Sequence, residues 1–498
     1  MTNSSTRAGR ADKIARKLVQ VGFLLLCLYP LAPVIYKRLT FEPGLTLTSW
    51  LLPFDPLLLL GELVRRDWAV LVIGAPLLII ALTLILGRAF CGWVCPIGTV
   101  LDLVRPIAFW QKRKNLAKAK GTLAKLNPFP ANYNSQLRYY VLIAVIAGGI
   151  LSLQFLGWLD PLVIFHRTAT AITSNAFALR QPTLRVYLSI VSLLFLSILL
   201  LELWQPRFWC RNLCPLGALL SLFSRWSLLN RRVSQQCNSC GDCRRICPMN
   251  AIGQEPHNTD YSDCTMCLEC EGTCSKRGIT FGWGALAGKQ WQRESVIKGA
   301  DGTPQLKGRY VPERIQVSRR QALGGIAASV AGLALVPGIS LTRQRSVIRP
   351  PGALPEEEFI RTCIVCQECV RVCPTGGLRP TFLESGLAGI GTPQLVPRQG
   401  GCSINPSCPD LCANVCPVGA IRPIQPERLK IGLAQVDRSL CLAWDQGVKC
   451  IVCVEACLVN AAQAYDGRVT VDPQRCTGCG RCESGCPVAG SAIHVQPL

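Results

Sequence analysis

Cysteines dominate the chemistry of this sequence, and their spacing indicates iron–sulfur clusters. The chain of 498 residues contains 29 cysteines, most of them in tight runs two and three residues apart. Neighbours this close scarcely cross-link without strain, whereas they can wrap around a cluster. The first two complete runs are Cys237, Cys240, Cys243 and Cys247, then Cys264, Cys267, Cys270 and Cys274.

The two runs are expected to share their ligands. In bacterial two-cluster ferredoxins three close thiolates hold one cube, and the fourth cysteine of each run crosses to the other cube. Zinc also binds paired cysteines, but two complete four-cysteine runs at this spacing favour clusters over zinc. The prediction is one [4Fe–4S] cluster on Cys237, Cys240, Cys243 and Cys274, and a second on Cys264, Cys267, Cys270 and Cys247.

Four further cysteine sets near the C-terminus supply iron ligands for four more cubes, which makes six [4Fe–4S] clusters. Two sets are regular, one is looser and one has a long first gap. Spacing alone does not assign the fourth cysteine of each set; a nested arrangement, outer sets together and inner sets together, is compatible with it. The sets are Cys363, Cys366, Cys369 and Cys373; Cys402, Cys408, Cys412 and Cys416; Cys441, Cys450, Cys453 and Cys457; and Cys476, Cys479, Cys482 and Cys486.

Two shorter cysteine pairs occur in a repeated motif, Arg-x-x-Cys-x3-Cys-Pro-x-Gly. A pair is too short to hold a cube alone, so the four thiols either converge on one cofactor or form redox-active dithiols. Alternatively, each Cys-Pro-x-Gly turn only ends one helix and starts another. Because both copies keep both thiols, we favour a redox role and treat these as candidate catalytic residues: Cys91, Cys95, Cys210 and Cys214. The remaining cysteine, Cys27, is expected to pack in an apolar segment.

An Asp-Pro-Leu tripeptide precedes each copy of the motif, at Asp55 and at Asp160, and His166 follows the second. A His–carboxylate pair could accept the protons of a quinol, since His titrates near neutrality. Asp160 and His166 are therefore the candidate catalytic groups of a quinone site. The alternatives are a hydrated surface histidine and Asp-Pro sequences that cap helices.

Four apolar segments must position these motifs, and each is close to the ~20 residues that cross a bilayer. They run Leu18–Tyr36, Ala69–Gly87, Tyr139–Gly157 and Leu184–Leu203. Nearly half of the chain is hydrophobic and only 17% is charged, which is typical of membrane proteins. Basic residues before the first segment and at 105–125 place both on the cytoplasmic side, and this clustering explains the net charge of +23 better than nucleic-acid binding does.

A twin-arginine sequence at Arg319 and Arg320 precedes a weakly hydrophobic run that ends near Pro337. It resembles a Tat export signal and, inside a chain, would act as a fifth span that leaves the last domain outside. An ordinary fifth span gives the same topology. A segment that stays in the cytoplasm is the third possibility.

These features predict a membrane α-helical fold, a duplicated two-span unit plus a fifth span, with two ferredoxin-like α+β domains that bind [4Fe–4S] clusters. The chain would be a multi-pass protein of the inner membrane, with its N-terminus and 231–317 in the cytoplasm and 342–498 on the periplasmic face. The expected order is a membrane domain at 1–230, a two-cluster domain at 231–280, a linker at 281–317, the fifth span at 318–341, a linker at 342–358 and a four-cluster domain at 359–498.

The Cys-x3-Cys-Pro repeat with the two runs behind it resembles the NapH-type and MauN-type membrane proteins. The twin-arginine-led domain with four sets resembles their ferredoxin-type partners, NapG and MauM. The first resemblance covers 1–290 and the second about 315–498, so the chain looks like a fusion. It implies a quinol dehydrogenase module that takes electrons from the membrane quinone pool and passes them to a periplasmic c-type cytochrome or reductase. No haem-attachment sequence CxxCH occurs, so any cytochrome would be a partner.

A rival class of function is a non-catalytic maturation or redox-maintenance factor, which supplies electrons for assembly or repair of a metalloenzyme. A third is a cytoplasmic polyferredoxin tethered to the bilayer. The sequence contains no visible nucleotide-binding or molybdopterin-sized domain. The chain is therefore predicted to be an electron conduit and not a terminal reductase.

Overall fold

The computed structural model describes both cysteine-rich regions and most of the helical half of the chain. The described residues are 5–29, 52–58, 70–106, 137–150, 155–176, 182–234, 236–253, 255–283, 296–298, 304–306, 347–382, 384–403, 408, 410–425 and 429–498. The predicted fifth span at 318–341 and the basic stretch at 112–125 lie outside these ranges.

Helices form the N-terminal half, because its runs of Leu, Ile, Val and Ala contain few residues that interrupt a helix. Residues 52–54 form a single 3₁₀ turn directly before Asp55. The helices are α1 (Ser5–Leu28), α2 (Val70–Leu86), α3 (Ala89–Trp93), α4 (96–106), α5 (Leu137–Ile150), α6 (Phe155–Leu159), α7 (Pro161–Ala176), α8 (Pro182–Trp204), α9 (Phe208–Asn212) and α10 (Pro215–Ser224).

The two copies of the repeated motif fold alike. In each copy a long helix, α2 or α8, is followed by the five-residue helix α3 or α9 that carries the first thiol. A third helix, α4 or α10, then begins at the proline of Cys-Pro, a position where the missing N–H needs no partner. In the second copy Cys214 caps the N-terminus of α10, because its Sγ atom accepts the Gly217 N–H at 3.2 Å.

The predicted membrane spans are wrong for the part of the chain that the structure describes. None of its helices is long and apolar enough to cross a membrane. This finding overturns the membrane α-helical fold class and the multi-pass inner-membrane location.

The cysteine-rich regions consist of short helices and two-stranded sheets around the cysteine sets. Their helices are α11 (Asp242–Ile246), α12 (Glu269–Thr273), α13 (Glu356–Thr362), α14 (Glu368–Val372), α15 (Leu411–Asn414), α16 (Leu442–Asp445), α17 (Val452–Glu455) and α18 (Arg481–Gly485). Their strands are β1 (Leu229–Val233), β2 (Ile279–Trp283), β3 (Val296–Lys298), β4 (Pro304–Leu306), β5 (Leu378–Pro380), β6 (Pro393–Leu395), β7 (Gly432–Val436), β8 (Ala462–Tyr465), β9 (Arg468–Val471) and β10 (Ile493–Pro497).

Each sheet within the described residues is one antiparallel pair. Strand β1 pairs with β2 across the first cysteine-rich region. Strand β7, which precedes the third cysteine set of the second region, pairs with β10, which follows the fourth set. The other pairs are β3 with β4, β5 with β6 and β8 with β9.

The helical half packs against both cysteine-rich regions. Gly92 in α3 lies so close to the first region that a Cβ there would be 2.2 Å from the Thr265 carbonyl oxygen. On another side, Ile364 and Cys366 of the second region belong to the same apolar core as Val163 and Ile164 of α7. The repeat thiols therefore lie in a core that also reaches cysteines of both regions.

We predict that Gly92→Ala lowers the free energy of unfolding by about 3 kcal/mol, because the new methyl group would overlap backbone that cannot rotate away. The matched control is Gly74→Ala in α2, where a Cβ meets no atom within 4 Å. That variant should gain up to about 1 kcal/mol from helix propensity. Thermal unfolding followed by circular dichroism checks both, and equal midpoints for the two variants would contradict the contact at Thr265.

Candidate iron–sulfur sites

In five of the six cysteine sets, the residue before the short helix has a left-handed backbone conformation. This conformation turns the preceding cysteine loop back over the helix. The third cysteine of the set then lies in the helix, while the first two lie in the loop before it. Outside glycine this conformation costs roughly 1–2 kcal/mol, and such strain is typical of functional sites. The five residues, with φ from 46° to 77°, are Gly241, Leu268, Gln367, Asp410 and Gly480.

Four cavities are lined by four thiols apiece. In every case three thiols come from one set and the fourth comes from the neighbouring set. Since a cube takes one thiolate per iron, this donor set and enclosure fit a [4Fe–4S] cluster. The groups are Cys264, Cys267, Cys270 and Cys247; Cys363, Cys366, Cys369 and Cys416; Cys441, Cys450, Cys453 and Cys486; and Cys476, Cys479, Cys482 and Cys457.

Electrostatic contacts between thiols trace two more groups. Burial raises the pKa of both Cys408 and Cys412, and the charge of Cys373 raises each pKa further. Cys402 lies with them, because Cys412, Cys408 and Cys373 all raise its pKa beyond the effect of burial.

The last group lies in the first cysteine-rich region. Burial raises the pKa of Cys243, Arg231 lowers it, and Cys237 and Cys240 raise it. Cys274 packs in the same small core as Cys243. The four thiols Cys237, Cys240, Cys243 and Cys274 are thus near neighbours.

The fourth cysteines are exchanged between sets that are adjacent in the sequence. In the second region the first set exchanges with the second, through Cys416 and Cys373, and the third exchanges with the fourth, through Cys486 and Cys457. The nested arrangement that the spacing allows is therefore not the one in the structure. Two of the four exchanged cysteines, Cys373 and Cys486, follow their short helices directly in extended backbone.

A backbone contact joins the two exchanged pairs of the second region. The Cys402 N–H donates to the Cys479 carbonyl oxygen at 2.6 Å. Cys402 belongs to the first of these pairs and Cys479 to the second. The four cysteine groups of this region are therefore contiguous.

The four thiols of the repeated motif converge in one core. Cys91, Cys95, Cys210 and Cys214 are each no more than 8% exposed, and the structure holds them as free thiols. Burial raises the pKa of Cys210 to about 12, an effect that Arg207 opposes and Cys91 reinforces. The thiols of both copies therefore lie in one core, and whether they bind one cofactor or act as dithiols stays a prediction.

Two buried arginines connect the copies around these thiols. Arg207, from the second copy, donates to the carbonyl oxygens of Cys91 and Gly98 in the first, at 2.9 and 3.3 Å. Arg88, from the first copy, lies against Gly217 in the second, where a Cβ would be 2.8 Å from its Nη2 atom. Sequence reasoning missed both, although each stands three residues before the first cysteine of its copy.

Asp102 in α4 is the main carboxylate partner of Arg207. Its Oδ1 and Oδ2 atoms accept from Nε and Nη2 of Arg207 at 3.2 and 2.8 Å, and Arg16 lies 2.8 Å from Oδ2. Burial would raise the pKa of Asp102, but Arg207 and Arg16 outweigh burial and hold that pKa at about 2. The carboxylate therefore stays charged at neutral pH.

The structure does not pair His166 with Asp160. His166 Nε2 lies 2.7 Å from Oε1 of Glu368, in α14 of the second cysteine-rich region, and Arg371 binds the other oxygen of Glu368. Burial would raise the pKa of Glu368, but Arg371 and His166 together hold it at about 2. Nothing in the sequence signals this partner, which is 202 positions away.

Asp160 faces Asp55 instead, and both are completely buried. Asp55 Oδ1 accepts from the Leu57 N–H at 2.8 Å, and Asp160 Oδ1 accepts from the Leu162 N–H at 2.7 Å, so each also caps a turn. Burial and the adjacent Asp160 raise the pKa of Asp55 well above its ordinary value. The pair therefore favours one shared proton. The duplicated Asp-Pro-Leu tripeptide was the sequence signal that pointed to Asp55.

Comparison with known proteins agrees with the thiol geometry. The 4Fe-4S binding domain family Fer4_5 matches residues 68–114 and 186–234, and the 4Fe-4S binding domain family Fer4_6 matches 468–493. The methylamine utilization ferredoxin-type protein MauM of Paracoccus denitrificans is 37% identical over 205 residues, which cover 37% of this chain and 89% of the relative. The chain belongs to the MauM and NapG ferredoxin-type proteins.

Two further relatives are similar to parts of this chain. The ferredoxin-type protein NapG of Escherichia coli is 37% identical over 205 residues, covering 37% of this chain and 87% of the relative. An uncharacterized protein of Methanocaldococcus jannaschii is 32% identical over 206 residues, covering 41% of this chain and 76% of its own. The prediction of an iron–sulfur, ferredoxin-type protein is confirmed.

The two Fer4_5 matches coincide with the two copies of the repeated motif of this ferredoxin-type chain. Each match contains one Arg-x-x-Cys-x3-Cys-Pro-x-Gly sequence, and the structure gives both copies the same order of helices. The internal duplication is thus supported by sequence comparison as well as by the fold.

We predict that Asp102→Asn lowers the free energy of unfolding of this ferredoxin-type protein by about 3–5 kcal/mol, because it leaves buried Arg207 without its carboxylate. With a folded pKa of about 2, below the usual 3.8, the carboxylate stabilises the fold above about pH 4 and loses this effect only as the pH falls toward 2. The loss in Asp102→Asn should therefore be constant between pH 5 and 9.

Glu357→Gln is the matched control for that substitution. Glu357 pairs with Arg361 at 3.9 Å, and the side chains are 86% and 46% exposed. A surface pair of this kind contributes at most about 0.5 kcal/mol. Thermal midpoints at several pH values compare the variants; an Asp102→Asn loss as small as that of Glu357→Gln would contradict the buried ion pair.

Proposed function

We propose that this ferredoxin-type iron–sulfur electron-transfer protein relays single electrons through six [4Fe–4S] clusters, from a quinol to a redox protein. The observation that carries the proposal is the gathering of cysteines into groups of four, each built from two neighbouring sets. Such a donor set binds cubes, and exchanged ligands hold the two cubes of a pair at a fixed separation. We infer that 24 of the 29 cysteines serve as cluster ligands.

The order of the groups supports a continuous relay. Because fourth cysteines are exchanged between sets, the clusters occur in pairs. The backbone hydrogen bond between Cys402 and Cys479 connects the two pairs of the second region. A cube accepts and releases one electron without bond rearrangement, so a contiguous row suits transfer between a two-electron donor and one-electron acceptors.

Proton-accepting groups lie where the helical half meets the second region. Quinol oxidation releases two protons with its two electrons, and a carboxyl pair with one shared proton can accept another. The buried pair Asp55 and Asp160 lies in this part of the helical half, and His166 on α7 contacts Glu368 between Cys366 and Cys369. This proximity of proton acceptors to a cluster favours a quinol as the donor.

We further propose that the chain is a fusion of a NapH-like unit and a MauM- or NapG-like domain. The duplicated Cys-x3-Cys-Pro motif supports the first part, and the identity to MauM and NapG supports the second. The acceptor would then be a c-type cytochrome or a reductase that docks on the cluster-bearing half.

We predict that Cys416→Ala and Cys363→Ala abolish the same electron paramagnetic resonance signal of the reduced protein. Both residues line the cavity of the Cys366 and Cys369 thiols, so either change removes a ligand of one cube. Cys27→Ala, which removes a thiol from an apolar contact, should leave all signals and the iron content per chain as in the wild-type protein. Different signals lost in the two variants would contradict the exchange of ligands between adjacent sets.

We predict that a quinol analogue reduces the clusters of the wild-type protein and that Asp160→Asn slows this reduction about 100-fold, through loss of a proton acceptor. Asparagine can still cap α7, so the fold is retained. Asp437→Asn is the control, because Asp437 makes the same kind of turn contact at an exposed site. Stopped-flow absorbance follows the reaction; wild-type clusters that reduce with dithionite but not with quinol would overturn the donor assignment and leave the cluster assignment standing.

A further inference from the structure

The four thiols of the repeated motif have charged neighbours that the six-cluster relay does not use. Arg88 and Arg207 are both completely buried beside them, and each reaches from its own copy to the other. Asp102 is shared by Arg207 and Arg16, and Asp263 by Arg88 and Arg138, while Glu269 lies 3.3 Å from Arg16. Glu202 is a fourth carboxyl here: it accepts the Arg207 backbone N–H at 2.6 Å, and burial raises its pKa to about 7, so it is only partly ionised at neutral pH. Four guanidiniums therefore face three charged carboxylates and one partly charged one, which leaves a small excess of positive charge.

Arg88 has unused hydrogen-bonding capacity on the side of the thiols. Its Nη1 atom donates to the Ser262 carbonyl oxygen at 2.9 Å, but its Nε and Nη2 atoms have no hydrogen-bond partner among the described residues. The Nη2 atom lies against the turn from Cys214 to Gly217. Unpaired N–H groups on a buried guanidinium are destabilising unless an anionic group lies near them.

We propose that Cys91, Cys95, Cys210 and Cys214 bind a seventh iron–sulfur cluster, whose negative charge Arg88 and Arg207 offset. An oxidised cube with four thiolates carries a net charge of about −2, which two guanidiniums balance. The match of both copies to a 4Fe-4S binding domain names the same chemistry without naming the ligands. Each copy supplies two thiols and one arginine, so the centre lies between the copies and is incomplete in either one.

Burial decides between this centre and redox-active dithiols. Thiol–disulfide exchange needs an incoming sulfur to reach the thiolate. The first cysteine-rich region covers these thiols: Trp93 Nε1 donates to the Met266 carbonyl oxygen at 2.8 Å, and Gly92 abuts Thr265. A partner disulfide has no such access, whereas an electron needs none.

The same contacts place the seventh centre next to a cube of the relay. Thr265 and Met266 lie between Cys264 and Cys267 in the ligand loop of one cavity, and Arg16 donates to the Cys267 carbonyl oxygen. One electron would pass from the reduced to the oxidised centre, with no bond made or broken. The inference extends the relay into the helical half and does not depend on the identity of the donor.

The first test compares iron and sulfide in anaerobically purified wild-type protein with those in Cys91→Ala and Cys210→Ala. We expect each variant to lose about four irons and one electron paramagnetic resonance or Mössbauer component, while Cys27→Ala loses none. Because the readout is a difference from wild type, it holds whatever number of cubes the cysteine-rich regions contain. Unchanged iron in both variants, or wild-type protein whose spectra account for all iron without this component, would overturn the proposal.

The second test keeps all thiols and removes one charge. Arg88→Gln should retain the cluster but make its midpoint potential more negative, since loss of a cation disfavours the added electron. Arg138→Gln removes an equally buried arginine whose partners are Asp263 and Tyr139, and should shift that potential less. Equal shifts in the two variants, measured by redox titration, would contradict the role of Arg88 and remain informative even if the cysteine variants fold poorly.

Discussion

Negative charge on buried thiolates is the constraint on which the arrangement of this protein depends. Burial raises the pKa of most of the described cysteines, so an unbound thiol there stays protonated. A cation stabilises the thiolate form in so apolar a setting, and hydrogen-bond donors add to this effect. In the cysteine-rich regions the iron of a cube supplies that charge, and around the repeated motif buried arginines add to it.

The same constraint shapes the cores. Three of the four apolar cores in the described part of the chain are built around cysteines of the sets. Apart from α8, which contributes Val191, the strands and helices in these three cores are only three to seven residues long. Elements of that size do not bury enough surface to stabilise a region alone. The cysteine-rich regions therefore depend on their clusters for folding, as metal-bound domains generally do.

Sequence reasoning predicted what is local and failed where two distant loops meet. The spacing within each run predicted which three thiols lie together, because a turn and one helical turn bring them to one side. It did not predict that Cys416 joins the Cys363 set, since that depends on which loops abut in the fold. It likewise paired His166 with Asp160, although Glu368 from a distant helix is its partner. The membrane assignment failed because it rested on hydropathy along the sequence alone, whereas none of the described helices is long and apolar enough to cross a membrane.

The exchange of fourth cysteines has a consequence for damage. When an oxidant removes one cube, the loop that held it loses its order, and that loop also carries a ligand of the adjacent cube. The adjacent cube then keeps three thiolate ligands, and one of its irons has no cysteine ligand. Loss of one cube would therefore destabilise its partner in the same pair before it affects the other pair. In the second region the two pairs meet at the backbone hydrogen bond between Cys402 and Cys479.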